Sequence, residues 1–342
     1  MNPKNNRSSV IDALRGYFIL WIGLYNTFAV FNAIQPNLIL SSILLFINDK
    51  GWFCLSAIFG YGFGLLIKQS KDKPTAFSKR MFLLFLLGIF NNLFFYGDIL
   101  KEYAIIGLIL FYARHILAKY PASSLLFICL LTFLALYYIP FDMNEAGNPK
   151  DYFHDSTIFL ANLKYCINLN LHSLYFAICY HLEMLLMASI GFFISFFHLE
   201  GFILRKRFTL LWFSLSMMFI ALATLFFILE NGSPLVKIFF FTYILSLSTS
   251  FVIGFYLLIK KYYSLALFFI PFGRRSLTIY LLQNMIITSI WLWSDSNIEG
   301  YFNEFFLSYC VIQLVILFFS KFLVVDNMGV LEMFWRKWSQ SS

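Results

Sequence analysis

The sequence predicts an all-α integral membrane protein with about ten transmembrane helices, and three observations carry that prediction. Several stretches stay apolar for the length that a ~30 Å hydrocarbon core demands. Charge is scarce: 12% of the 342 residues are Asp, Glu, Lys or Arg, about half the share of a soluble domain, while 61% are hydrophobic. The third observation is where the 25 Lys and Arg fall. Spans are placed at 14–34, 52–67, 80–96, 102–118, 122–140, 172–197, 208–229, 235–259, 275–293 and 304–325, with the N-terminus inside. Only Lys50, Lys101, Lys150, Lys164 and Lys237 are then left outside. Cytoplasmic loops carry the excess of basic residues in membrane proteins, so both termini are expected to be cytoplasmic. The net charge of +8 is therefore an orientation signal and a contact with anionic lipid, not a nucleic-acid footprint.

In chain order, residues 1–13 are polar and basic, and no small-residue cleavage site follows the first apolar run. That run is expected to remain as an anchor. The stretch 38–47 is apolar but short and is broken from the next span by Asn48-Asp49-Lys50-Gly51. It reads as a re-entrant or interfacial piece, or as an outward extension of the second helix. Gly60 and Gly64 lie four apart, a spacing that lets two helix backbones approach closely.

The segment Gly88–Ala104, GIFNNLFFYGDILKEYA, is the one around which the rest is organised. Two apolar runs meet at a short polar turn, Gly97–Asp98, followed by Lys101 and Glu102. Asn91 and Asn92 sit about two turns earlier. Polar groups at such depth cost free energy unless they pair or meet water, so this hairpin reads as the edge of a polar site. The alternative reading is a capped helix end with an interhelical amide hydrogen bond.

Further on, 141–171 is the only long polar loop, with Asp142, Glu145, Asp151, His154 and Asp155, and reads as a lid or a linker. Near the end, two Trp flank Arg336 and Lys337, which suits a short interfacial helix at about 328–339. The whole chain, 1–342, reads as a single polytopic membrane domain. Its five cysteines (Cys54, Cys129, Cys166, Cys179 and Cys310) are scattered without metal spacing or a disulfide pattern, so no metal is expected.

Glu183 is the only acid well inside a span, and an intramembrane carboxylate is a functional candidate by default. His172 lies eleven residues earlier, three turns of an α-helix, so it shares Glu183's face with Cys179, while His181 points the other way. Asn26 and Asn91 lie in the outer halves of their spans, and Gln283 and Asn284 lie near the middle of theirs. Singly, each amide serves as interhelical glue. Together with Asp98 they are expected to line one outward-facing cavity. No phosphate-binding glycine loop, zinc motif or serine triad is present.

Several of these pieces together resemble the YeiB-like family of bacterial inner-membrane proteins. The opening VIDALRGYFILWIGLYN is similar to that family's LDxLRG…GILLxN start, and IFGYGFGLL to its LFGxG element, followed by the basic Lys79–Arg80. GDILKEYAIIGL matches its GDIL-x-x-YA-x-x-GL motif nearly throughout. PFGRRSLTIYLLQN resembles its GRxxLTNYLLQ segment, and GVLEMFWRKW its GPxEWLWR end. The family is in turn similar to transmembrane acyltransferases such as the lysosomal heparan glucosaminide N-acetyltransferase.

The resemblance implies an acyl-CoA-dependent O- or N-acyltransferase of the bacterial cytoplasmic membrane, with acetyl-CoA as the expected co-substrate. It implies that Asp12 and Arg15 mark the inner mouth of the site. Acyl-CoA is expected to dock at that basic mouth by phosphate pairing with Arg15, Arg274 and Arg275. Asn26 would match an active-site amide. Two positions depart from the pattern: Asn91 stands where the family has a third-span His, and Ile279 where it has an amide. Acyl transfer needs a base to deprotonate the acceptor, so Glu183, His172 or Asp98 would have to supply it. The expected partners are membrane lipid and a small-molecule or glycan acceptor, with no nucleic acid. The oligomeric state, a homo-oligomer among the options, stays open. Two rival readings use the same residues: a transporter of a small polar or acidic solute, and a catalytically silent membrane scaffold.

Overall fold

Long apolar runs become helices because only intrachain hydrogen bonding satisfies the backbone where there is no water. The structure is a computed structural model. It describes residues 6–34, 50–68, 74–95, 97–140, 160, 163–165, 167–168, 171, 175–199, 206–229, 234–293, 311–312, 315–316, 324–325 and 328–340.

The first five helices are α1 (Asn6–Ile34), α2 (Lys50–Lys68), α3 (Pro74–Asn92), α4 (Leu100–Lys119) and α5 (Pro121–Tyr138). A π-helical turn, Tyr175–Tyr180, runs directly into α6 (His181–Phe196). Then come α7 (Lys206–Leu229), α8 (Pro234–Lys261), α9 (Tyr263–Arg274) and α10 (Ser276–Trp293). Strands β1 (Val324–Val325) and β2 (Met328–Gly329) form a two-residue antiparallel pairing that leads into α11 (Val330–Gln340).

Four helical segments are long and apolar enough to cross a membrane: Lys50–Lys68, Pro121–Tyr138, Ala177–Phe196 and Pro234–Lys261. A fifth arises if α9 and the first part of α10, bent by 75° at Arg275, count as one broken span. Apart from the two-residue β1–β2 pairing, the elements among the described residues are all helical, and several of the helices are membrane-capable. The connection after the eighth span is the helix α9, which packs along α1, and a break at Arg275 turns the chain by 75° into α10. One expectation is corrected. The last expected span, 304–325, does not keep its end, because Val324–Val325 is strand paired with Met328–Gly329. The 38–47 piece and most of 141–171 lie outside the described residues.

Helix packing follows side-chain size. Close packing of α2 against α6 rests on small residues: a Cβ on Gly60 would collide with the Ala188 carbonyl, and one on Gly191 with the Ala57 carbonyl. Tyr17 of α1 stacks on Phe255 of α8 at 3.8 Å and meets Phe269 of α9 edge-on at 5.5 Å. Phe18, Phe53, Ile106, Leu110, Met184, Phe192 and Leu247 form the buried centre. The outward faces are also apolar. On α5, Leu126 and Phe127 are 70% and 60% exposed while only Ile128, Thr132 and Leu136 are buried. An apolar exterior of that extent suits hydrocarbon and not water.

Candidate functional site

The site is built from the α3–α4 turn. After Asn92 the chain folds back so that Asp98 and the first turn of α4 lie beside Gly88. A Cβ there would sit 2.5 Å from the Lys101 amide nitrogen and 2.7 Å from Asp98 Oδ2. Gly88 is therefore needed for this approach. Asp98 Oδ2 accepts the backbone N–H groups of Leu100 (3.0 Å) and Lys101 (3.2 Å), two of the donors a helix start leaves over. Ile99 occupies the N-cap and has no side-chain acceptor, so the preceding aspartate does the capping.

The other oxygen of Asp98 terminates a chain of amides. Asn26 Nδ2 of α1 donates to Asn284 Oδ1 of α10 at 3.0 Å. Asn284 Nδ2 donates to Asn91 Oδ1 of α3 at 3.3 Å, and Asn91 Nδ2 donates to Asp98 Oδ1 at 2.7 Å. Every amide in the chain donates toward the carboxylate, so the dipoles align and polarise one another. All four side chains are buried. Burial pushes the Asp98 carboxyl up to about 6, while Lys101 and the Asn91 hydrogen bond pull it the other way. Thr288 of α10 donates to the Phe94 carbonyl, which ties the turn to the same helix.

Tyr280 connects this chain to a cavity of about 600 Å³. Its hydroxyl accepts from the Ile99 N–H at 3.3 Å and is hydrogen-bonded to Asn284. Tyr280, Ile99 and Leu100 all line the cavity, together with Tyr103, Leu55 and Phe59. At the other end its wall is charged: Asp12, Arg15, Arg80, Arg274 and Glu332. Asp12 is shared between Arg15 (3.6 Å) and Arg274 (3.4 Å). Partial burial raises the Asp12 carboxyl, and the two guanidinium groups oppose the rise.

Glu332, in the first turn of α11, accepts the backbone N–H groups of Leu277 (2.7 Å) and Thr278 (3.0 Å) and the Thr278 hydroxyl. It caps α10 and holds α11 at the mouth. The C-terminal helix is more than a surface anchor: it contributes a wall residue to the cavity.

The candidate residues are distributed as follows. Asn26, Asn91 and Asp98 come together, with Asn284, in one hydrogen-bonded chain. They are engaged with one another and are not among the residues that line the cavity. Asp98 is thus both a helix cap and the terminus of an interhelical amide chain. Arg15 and Arg274 reach the cavity, whereas Arg275 stands at the helix break near Glu332 and is not on the wall.

Glu183 is buried in the first turn of α6 with Cys179 as an electrostatic neighbour, and it too is not among the wall residues. His172 lies outside the described residues. The three-turn count between His172 and Glu183 assumes 3.6 residues per turn, and the π-helical Tyr175–Tyr180 between them breaks that register. His181 turns instead to α4, where Glu102 pairs with it and with Lys101 Nζ at 3.1 Å. Among the described residues no group of three or more His, Cys, Asp and Glu is placed to hold a metal ion.

No protein-family model, curated protein or solved structure matches the chain. Arg80, Glu332 and Tyr280 are among the wall residues that sequence reasoning did not single out. Arg80 reads only as a topology signal at the start of its span. Glu332 carries a visible cue, an acid in the first turn of an otherwise basic amphipathic helix. Tyr280 has none, because an aromatic in an apolar run reads as core.

Proposed function

We propose that the chain is a multi-pass protein of the bacterial cytoplasmic membrane that takes an acyl group from acyl-CoA, acetyl-CoA first, and passes it to a hydroxyl or amine acceptor. The observation that carries this reading is the cavity. Arg15, Arg80 and Arg274 stand at one end, and Leu55, Phe59, Ile99, Leu100, Tyr103 and Tyr280 line the other. Guanidinium groups grip phosphates through paired N–H donors, and an apolar wall suits the chain that follows. The volume, about 600 Å³, falls in the range of small-molecule sites. In this reading the termini and the arginine mouth face the cytosol, as the distribution of Lys and Arg requires.

Transfer breaks the thioester C–S bond, forms a C–O or C–N bond to the acceptor, and moves the acceptor's proton to the coenzyme A sulfur. A base must hold that proton. Asp98 directly precedes Ile99 and Leu100 of the wall, and its raised pKa suits a group that exchanges a proton near neutrality. Glu183 and His172 are the other candidates, acting on the acceptor.

A second reading has its own support: a phosphate-bearing amphiphile is held or carried without being cleaved. Asp12 is paired with two arginines and Glu332 caps α10, so both carboxylates on the wall are committed. Purified protein in nanodiscs, given acetyl-CoA and a panel of amines and sugars, separates the two. Release of free thiol with acceptor-dependent saturation supports transfer. Binding of acetyl-CoA without thiol release supports the second reading, and no binding of acetyl-CoA removes the first.

A further inference from the structure

Along α1 the lining of the cavity runs from Asp12 to Ile19, seven residues or about 10 Å of helix.

Part of its apolar wall is held by groups that cannot easily move. Tyr103 is buried, and its hydroxyl donates to the Trp52 carbonyl at 3.0 Å. Phe59 stacks on Tyr103 at 5.6 Å with an interplanar angle of 27°. Behind Phe59 stands the backbone of Gly107, where a Cβ would lie 3.0 Å from the ring. Tyr280, which accepts the Ile99 N–H, holds the opposite side of the wall. A wall tied by hydrogen bonds and backed by backbone resists expansion, because packed interiors do not yield to an added methylene without strain.

We infer that Phe59 and Tyr103 form a floor that sets the length of the apolar chain the cavity accepts. The site takes an anionic head with a short chain and rejects the long chain of a membrane lipid or a fatty acyl-CoA. The inference rests on the acyl-CoA reading for the identity of the head, but the length gauge belongs to the cavity itself. Phe59 is the half to alter, since its ring contributes bulk and is not fixed by a hydrogen bond of its own.

The test measures calorimetric binding to the full chain in nanodiscs. The probes are butyl, octyl and dodecyl phosphate and the acetyl and octanoyl thioesters of coenzyme A. The parent is expected to favour the short member of each series by tenfold or more. Phe59→Ala is expected to erase or invert that preference, and Phe59→Leu to shift it part of the way. Tyr103→Phe, which keeps the ring but removes its hydrogen bond to the Trp52 carbonyl, is expected to weaken the preference less than Phe59→Ala does.

Long chains bound by the parent as tightly as short ones would overturn the inference, as would an unchanged ratio in folded Phe59→Ala and Phe59→Leu. If the alkyl phosphates rank as expected while neither thioester binds, the gauge stands and the acyl-CoA reading falls. If acetyl-CoA binds and Phe59 does not alter the ranking, the acyl-CoA reading stands and the gauge falls. A parent that binds no probe overturns both.

Discussion

Replacing Asn284 with Leu removes the middle of the amide chain. Its bonds to Asn26 at 3.0 Å and to Asn91 at 3.3 Å join α10 to α1 and α3, and it is also hydrogen-bonded to Tyr280 of its own helix. A hydrogen bond between membrane helices is worth ~0.6–1.7 kcal/mol. The loss is larger here, because the substitution leaves the Asn26 donor and the Asn91 acceptor facing a side chain that cannot answer them. A buried polar group left unmet costs about 1–3 kcal/mol. With two such groups and some relaxation, the expected destabilisation is about 2–4 kcal/mol, high for a single substitution.

Asn26→Leu, at the chain's end, breaks one bond and should cost about half as much. The Asn26–Asn284 double-mutant cycle should give a coupling of about 0.5–1.5 kcal/mol, as neighbours in one network do. Equilibrium unfolding in mixed micelles reads all three variants. An Asn284→Leu protein within ~0.5 kcal/mol of the parent, or a cycle with no coupling, would refute the claim that this chain joins the three helices.

Other consequences are open to measurement. Asp98, raised from 3.8 to about 6, binds its proton more readily folded than unfolded. Its contribution to stability is therefore present below about pH 4 and lost as pH rises through about 6, on the order of 3 kcal/mol in all. Asp98→Asn should flatten that slope in pH-dependent unfolding, and a slope of opposite sign would contradict the burial argument. Glu332→Ala should loosen α11 and cost about 1–2 kcal/mol as a lost cap, read as faster proteolysis of the C-terminal segment. Unchanged proteolysis would mean that α11 is held by other contacts. Glu183→Gln keeps shape and hydrogen bonding, so an activity lost at unchanged thermal stability assigns it a chemical role, whereas full activity at lowered stability makes it structural. A reporter after Ser342 should read cytoplasmic and one near Asn148 external, and a cytoplasmic signal at Asn148 would remove the span layout.

Much of the helical framework was legible because apolar length is a coarse signal that packing does not alter. The polar turn was legible as well: Asn91 stands out inside an apolar run and Asp98 at the turn that ends it, and the two are hydrogen-bonded. What failed was register and depth. No side-chain pattern reveals the π-helical turn before His181, so a face counted at 3.6 residues per turn does not carry from His172 to Glu183. Buried amides can line a cavity or satisfy one another, and spacing does not choose between these; here Asn26, Asn284 and Asn91 bond to each other. The α9 break was hidden for a different reason. α9 lies between the spans placed at 235–259 and 275–293, and the helix there is held by its packing on α1, a long-range contact that local pattern does not show. Glu332 reaches the cavity only because α11 folds back onto the start of α10, a long-range contact outside the scope of local pattern.

The central claim is that the arginine-mouthed cavity holds the phosphates of acyl-CoA, and calorimetry of acetyl-CoA against full-length protein in nanodiscs tests it most directly. Arg15→Lys keeps the charge but loses the paired donors, Arg274→Ala removes a guanidinium, and Asp12→Asn frees both arginines from their shared carboxylate. The account predicts saturable binding by the parent, weakened tenfold or more by Arg274→Ala, weakened less by Arg15→Lys, and retained or tightened by Asp12→Asn. No binding by the parent, or equal affinity across the three folded variants, would contradict it.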